Sequence, residues 1–351
     1  MKTDANPRDV FDLSGPIHLC GRRLAPGDKQ GLMAALAQAI YVAENDRLKG
    51  RLGTYALAPK WSMELGYAPV KYIHEEEEEI GPIIGATFQR IDTVEVLEQD
   101  ANVTPIMVVA LRGMMLGNEE SIHNDMLTNL QLILHQLHTT ARFTKAMELI
   151  RDAISEVGHE RVSIVGHSLG AALALLAGQM LVSEGILVDT HMFNPPYPAP
   201  PVQYIKSRRV KLALNLVGMA VATGVSHLLL DSDKRHGITH AFFSLRRWVP
   251  HLYINARDPI CSSYIGYFMT RDFMQKVGAG PLAQQAAPVS LQGTIHQYLR
   301  DDCKTFHLIP CAHVHVATKR SSKLVRAHGL HQWWWPDLEV DHQEVHMVMD
   351  E

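Results

Sequence analysis

The chain has 351 residues, 46% of them hydrophobic and 20% charged, with 33 Lys and Arg set against 37 Asp and Glu for a formal net charge of −4. That balance excludes a disordered chain and offers no cationic surface for displacing counterions from nucleic acid. The four cysteines, Cys20, Cys261, Cys303 and Cys311, form no CxxC pair. Neither a disulfide scaffold nor a zinc ribbon is expected, and sparse thiols suit a reducing compartment.

Residues 1–27 read as irregular, punctuated by Pro7, Pro16 and Pro26, with a polar start where a secretory signal would be apolar. A cytoplasmic location is the expectation. Leu32, Leu36, Ala39, Ile40 and Ala43 recur at helical spacing and predict a helix over 29–48. Trp61 to Tyr72 reads as an aromatic loop, and Glu75 to Glu79 as a solvated acidic run. Short strands follow at Ala86–Ile91 and Thr93–Leu97, read as a hairpin-like pair. Pro105–Leu111 is a continuous apolar run, as in a strand buried on both faces. Ser121–Val157 reads as two helices, Arg161–Val165 as a buried strand, Leu169–Ser183 as a helix and Val188–Phe193 as a strand ending at Asn194-Pro195-Pro196.

Residues 197–247 form a mixed insertion. Its apolar window, Leu212 to Leu230, is interrupted by Asn215, Thr223, Ser226 and His227 and reads as a buried or interfacial helix rather than a membrane span. Residues 212–230 are therefore where transient contact with a lipid surface is expected. Val249–Asn255 is the next strand, 259–300 reads as helices with loops, and Phe306–Thr318 as extended. Alternation of strands with helices predicts a mostly parallel sheet covered on both faces. No repeat or linker cuts the chain, so one domain spanning 1–351 is expected.

Gly166-His167-Ser168-Leu169-Gly170 matches G-x-S-x-G. The strand Arg161–Val165 runs into it and the helix from Leu169 runs out, the strand–turn–helix that presents a serine hydroxyl above a helix N-terminus. Ser168 is the expected nucleophile. A serine needs a base, and in this arrangement the acid and then the histidine follow in the chain. Asp258, just past the strand Val249–Asn255 and fixed by Pro259, is the preferred acid over Asp231 and Asp233. The base is His328 or, as the alternate, His331, in Ala327-His328-Gly329-Leu330-His331. An oxyanion needs two backbone N–H donors. Leu169 supplies one and Met114, after Arg112-Gly113, the other.

These segments together resemble the class 3 (fungal-type) lipases, and more closely a plant group of lipase-like α/β-hydrolases often labelled "GDSL esterase/lipase". The residues that carry the resemblance are VVALRG, VSIVGHSLGAALALLAG, MFNPP, NARDPI and AHGLHQWW, over about Phe11 to Leu338. No Gly-Asp-Ser-Leu stands near the start, and GHSLG belongs to the other hydrolase fold. The resemblance implies an α/β-hydrolase fold with the 197–247 insertion as a lid-like cover before the strand that carries the acid. It also implies a serine hydrolase of carboxylic esters, with lipid acyl esters as the expected partners. Met114 stands where such lipases usually carry Thr or Ser after Arg-Gly. That departure keeps open a weakly active or inactive binding module, and an acyltransferase would use the same residues.

Cys311, His313 and His315 alternate and would share one face of a strand, but no fourth ligand is evident, so no metal is expected. Gly278-Ala279-Gly280-Pro281 lacks the Lys-Ser/Thr of a phosphate loop, so no cofactor is expected either. Trp333 to Trp335 reads as packing.

Overall fold

The computed structural model describes residues 28–75, 81–91, 104–115, 134, 136–197, 208–289, 308–318, 327–334 and 338–345. Eight strands form one sheet in sequential order: β1 (Tyr67–His74), β2 (Ile83–Arg90), β3 (Met107–Leu111), β4 (Val162–His167), β5 (Asp189–Phe193), β6 (His251–Asn255), β7 (Ala312–Ala317) and β8 (Val340–Val345). β3 through β7 run parallel, while β1 and β2 on one edge and β8 on the other are antiparallel.

Every residue of β3 is buried, as the unbroken run MVVAL requires. Its side chains alternate between two cores. Met107, Val109 and Leu111 join Ile164, Met192, Leu252, Ile254 and Val314 on one face. Val108 and Ala110 join Val165, Phe193, Tyr253 and Ala317 on the other.

A sequential parallel order with right-handed crossovers sends the connecting helices to a single face. Accordingly α3 (Ala141–Val157), α4 (Leu169–Ser183) and α7 (Ser263–Lys276) contribute to the first core. The opposite face is closed by α1 (Lys29–Leu48), by Trp61 of α2 (Ala58–Glu64) and by the 3-10 turn Leu330–Trp334. All residues of α1 from Met33 to Asp46 are buried, which explains why this helix is apolar around most of its circumference. Asp28 caps it by accepting from the Gly31 N–H at 2.8 Å.

The insertion lies between β5 and β6 and forms α5 (Arg208–Leu229) and α6 (Ser232–Ser244); α8 (Gly280–Ala286) follows α7. Trp61–Tyr72, expected as a loop, is instead α2 followed by β1. Pro59 is tolerated in the first turn of α2, and Pro69 sits in an edge strand beside a register shift. β2 pairs with β1 and β3; the expected partner Thr93–Leu97 lies outside the described residues, as does most of the first helix expected in 121–157. β8 was not anticipated: four of its six residues are exposed, so VDHQEV lacks an apolar alternation.

Register sets the level at which the strands end. Leu111 pairs with Gly166, His167 with Phe193 and Phe193 with Tyr253. The residues that follow, Arg112–Met114, Ser168, Asn194 and the turn holding Asp258, therefore gather at the carboxyl edge of the sheet, where open α/β sheets form their sites.

Candidate active site

β4 turns into α4 at Ser168, whose backbone adopts φ 55° and ψ −124°. A non-glycine residue held there costs about 1–3 kcal/mol and persists only where its surroundings enforce it. The flanking glycines show how. A β-carbon at Gly166 would sit 2.2 Å from the Gly170 carbonyl oxygen, and one at Gly170 would sit 2.2 Å from that of Leu111. Strand, turn and helix touch backbone to backbone. Ser168 is the residue before the first turn of α4, where backbone N–H groups lack intrahelical partners and the helix dipole favours negative charge.

The loop after β3 presses on the same turn. A β-carbon at Gly113 would lie 2.8 Å from the Ser168 Cβ and 3.0 Å from the Leu169 nitrogen. The buried Arg112 guanidinium donates from Nη1 to the Gly113 carbonyl oxygen at 2.7 Å. In a trans peptide the carbonyl and the following N–H point in opposite directions. Holding the Gly113 oxygen on Arg112 therefore turns the Met114 N–H the other way, while the Met114 side chain packs against the core.

Asp258 is fully buried. Its Oδ2 accepts from His328 Nδ1 at 2.8 Å, from Asn194 Nδ2 at 2.7 Å and from the Cys261 thiol at 3.1 Å. Its Oδ1 accepts from the Ile260 N–H at 3.0 Å. Burial alone would raise its pKa, but the adjoining His328 and the donors on Oδ2 outweigh burial and lower it, so the carboxylate is ionised. An ionised acceptor requires the proton on His328 Nδ1, which leaves Nε2 as the basic nitrogen. Burial and the nearby carboxylate push the Cys261 thiol up, so it remains a donor. His331 lies half-buried in the 3-10 turn beyond. Asp231 caps α6 by accepting from the Lys234 N–H at 2.8 Å, and neither it nor Asp233 enters this cluster.

Residues outside the motif tie the parts together. The Gly113 N–H donates to the Tyr41 hydroxyl at 2.8 Å, which lies 2.7 Å from His167 Nδ1; His167 Nε2 lies 2.8 Å from the His328 carbonyl. A carbonyl only accepts, so Nε2 carries the proton and Nδ1 accepts from Tyr41. Burial, reinforced by His328, lowers the His167 pKa to about 3 and keeps the ring neutral. One directed chain thus joins α1, the loop after β3, the turn before Ser168 and the backbone of His328. The rings of His167 and His328 stand 4.8 Å apart.

Asn194, with φ 49° at the end of β5, also donates to the Ala327 carbonyl at 3.0 Å and accepts from the Trp333 indole at 3.0 Å. Trp333 is buried against Phe193 and Tyr253, so its expected packing role holds, whereas Trp335 lies outside the described residues. Asn194, Cys261 and Tyr41 were not singled out from sequence. The only local signal among them is an asparagine closing a central strand ahead of Pro195-Pro196.

Residues 85–337 match the model of the alpha/beta hydrolase family. The chain is 32% identical over 345 residues to a protein of Arabidopsis thaliana named "GDSL esterase/lipase At4g10955", covering 94% of this chain and 95% of that one. A crystal structure of a lipase from Rhizopus microsporus var. chinensis aligns over 68% of this chain and 69% of its own, at 15% identity and a TM-score of 0.32. With the family match over most of its length, and a sheet that ends in a strained serine turn, the chain belongs to the alpha/beta hydrolase family.

Proposed function

We propose that this chain is a carboxylic ester hydrolase that uses Ser168, His328 and Asp258 as a triad and forms an acyl-enzyme. The observation that carries the reading is the buried Asp258–His328 pair, assembled on the same sheet edge as the strained Ser168 turn. The relative named as an esterase/lipase supports the ester-cleaving chemistry.

Nε2 of His328 takes the Ser168 hydroxyl proton as the oxygen attacks the ester carbonyl. Asp258 stays ionised and stabilises the imidazolium that forms. The tetrahedral oxyanion is held by the N–H groups of Leu169 and Met114, each worth about 2.7–4 kcal/mol by the cost of losing such a donor. Collapse expels the alcohol, which takes its proton from His328. Water then attacks the acyl-serine by the same route in reverse. Arg112's hold on the Gly113 carbonyl orients the Met114 N–H without a side-chain hydroxyl, and this favours an active enzyme over a binding module.

Lipid-like acyl esters are the proposed substrates. Ser168, Asp258 and His328 are only 6%, 0% and 2% exposed. The 197–247 insertion, within a single α/β-hydrolase unit, is the proposed cover. Helix α5 leaves Leu214, Val217, Val221 and Leu228 exposed. Within it, Leu212–Leu229 is long and apolar enough to cross a membrane by length and composition, and little of it is buried. We read this face as one that meets a lipid surface.

The test is hydrolysis of an ester panel of graded acyl length by the unaltered protein and by His328→Ala and His331→Ala. Loss of turnover in His328→Ala with retention in His331→Ala is expected. Loss in His331→Ala alone would contradict the assignment of the base.

A further inference from the structure

A second cluster of polar side chains lies at the opposite end of the sheet. Asp189 opens β5 and pairs across from Ser163, five residues before Ser168 along β4, about 16 Å at ~3.3 Å per strand residue. Sequence alternation offered Cys311, His313 and His315 as a conceivable metal set; the fold stacks His313 and His315 on His251 at 4.7 and 5.5 Å, but the ligand atoms that lie together belong to another set. One ligand atom each from Asp189, His191 and His251 lies within 4.8 Å of the others.

The two imidazoles present the same nitrogen to the carboxylate. His191 Nε2 is 3.0 Å from Asp189 Oδ2, and His251 Nε2 is 3.9 Å from Oδ1. The rings stack with centroids 4.6 Å apart at 3°, so their in-plane lone pairs run side by side and one ring must tilt for both to reach the same ion. Each keeps its other nitrogen on a partner able to donate or accept. His191 Nδ1 is 2.9 Å from the Tyr253 hydroxyl, and His251 Nδ1 is 3.2 Å from His315 Nε2. Metal-bound histidines are oriented in this way, the remote nitrogen fixed by a hydrogen bond. The hydroxyl and imidazole partners let each histidine move its proton to Nδ1 and release the Nε2 lone pair with no net change in charge.

The 3.9 Å gap is too long for a hydrogen bond and wider than the separation of about 3.4 Å between two donors on a tetrahedral ion, since zinc sits about 2.0–2.2 Å from nitrogen and oxygen ligands, so binding would draw the two side chains together. Oδ2 already takes the Lys29 ammonium at 3.0 Å and the Ser163 hydroxyl at 2.5 Å. Asp189 and His251 side chains are 31% and 26% exposed, so an ion has access from solvent.

We propose that Asp189, His191 and His251 form a binding site for a borderline divalent transition-metal ion of the zinc type. Water completes the coordination, and the Lys29 ammonium is the built-in competitor for the carboxylate. The ion would clamp β5 to β6 and takes no part in ester cleavage.

The test is titration of the metal-stripped full chain with Zn(II) by calorimetry and with Co(II) by its visible absorption. One equivalent, with the intense absorption of four-coordinate Co(II), is expected. His251→Ala, at a partly exposed position remote from Ser168, is expected to weaken binding at least about tenfold. Lys29→Met is expected to tighten it about two- to fivefold by removing the competing charge. The opposite signs separate this site from weak binding elsewhere among the 20 histidines. Absence of a saturable site in the unaltered protein, or equal affinity in all three proteins, would overturn the proposal.

Discussion

The Asn194 side chain meets four partners that no local pattern links: the Asp258 carboxylate, the Cys261 sulfur, the Ala327 carbonyl and the Trp333 indole. It thereby fixes the acid relative to the segment carrying His328. A hydrogen bond to a charged group is worth about 1.5–3 kcal/mol, so Asn194→Ala is expected to lower kcat about tenfold or more with little change in KM, measured by steady-state ester hydrolysis. His167 makes a different prediction. Its pKa of about 3 in the fold lies below the ordinary 6.5, so between those values the unfolded chain binds the extra proton. Stability must therefore fall as pH drops from about 6.5 toward 3. Denaturant unfolding across that range is expected to show the loss, and His167→Gln is expected to lessen it without removing it, because burial also lowers His251 and His315 to about 3. The strand–turn–helix around Ser168 could be read from sequence because the motif, its strand and its helix are contiguous. The choice between His328 and His331 could not, because three-residue spacing does not say which ring turns toward Asp258. Asn194 and Tyr41 act across 64 and 126 residues of chain, beyond the reach of any spacing argument.

Glycines divide the helices into packed and open ones. Gly170 carries its helix against the Leu111 backbone, where no β-carbon fits. Gly170→Ala must push α4 from β3 and is expected to destabilise the protein by about 1–3 kcal/mol or more. Gly218, inside α5, has nothing within 4 Å of a β-carbon. There Gly→Ala relieves the entropy cost of glycine in a helix, and a gain of about 0.5–1 kcal/mol is expected when both variants are compared by thermal unfolding. Equal effects at both positions would contradict the packing described for α4. At this scale the two-sided strands were legible, because five or six consecutive apolar residues demand burial on both faces. β1 and β8 were not, because edge strands tolerate Pro69 and the exposed polar run VDHQEV.

Across the whole molecule, a mostly parallel sheet was legible from strand–helix alternation, whereas the sequential order of its strands, which gathers the proposed site at one edge from distant segments, was not. What alternation could not convey is which element closes the second face: α1 does so, and it brings Tyr41 to the site. The insertion extends the same architecture outward. If α5 meets lipid, replacing Leu214 and Val221 together by Asp is expected to lower partitioning onto neutral phospholipid vesicles, read by cosedimentation, while hydrolysis of a short soluble ester persists. Unchanged partitioning would remove the lipid-facing role from α5.

The central claim is that Ser168 is an activated nucleophile, and covalent trapping tests it most directly. Treatment with a fluorophosphonate, followed by peptide mass mapping, is expected to place a single adduct on Ser168 in the unaltered protein and none in a folded Ser168→Ala variant. Absence of an adduct on Ser168, or equal labelling of the two proteins, would contradict the account.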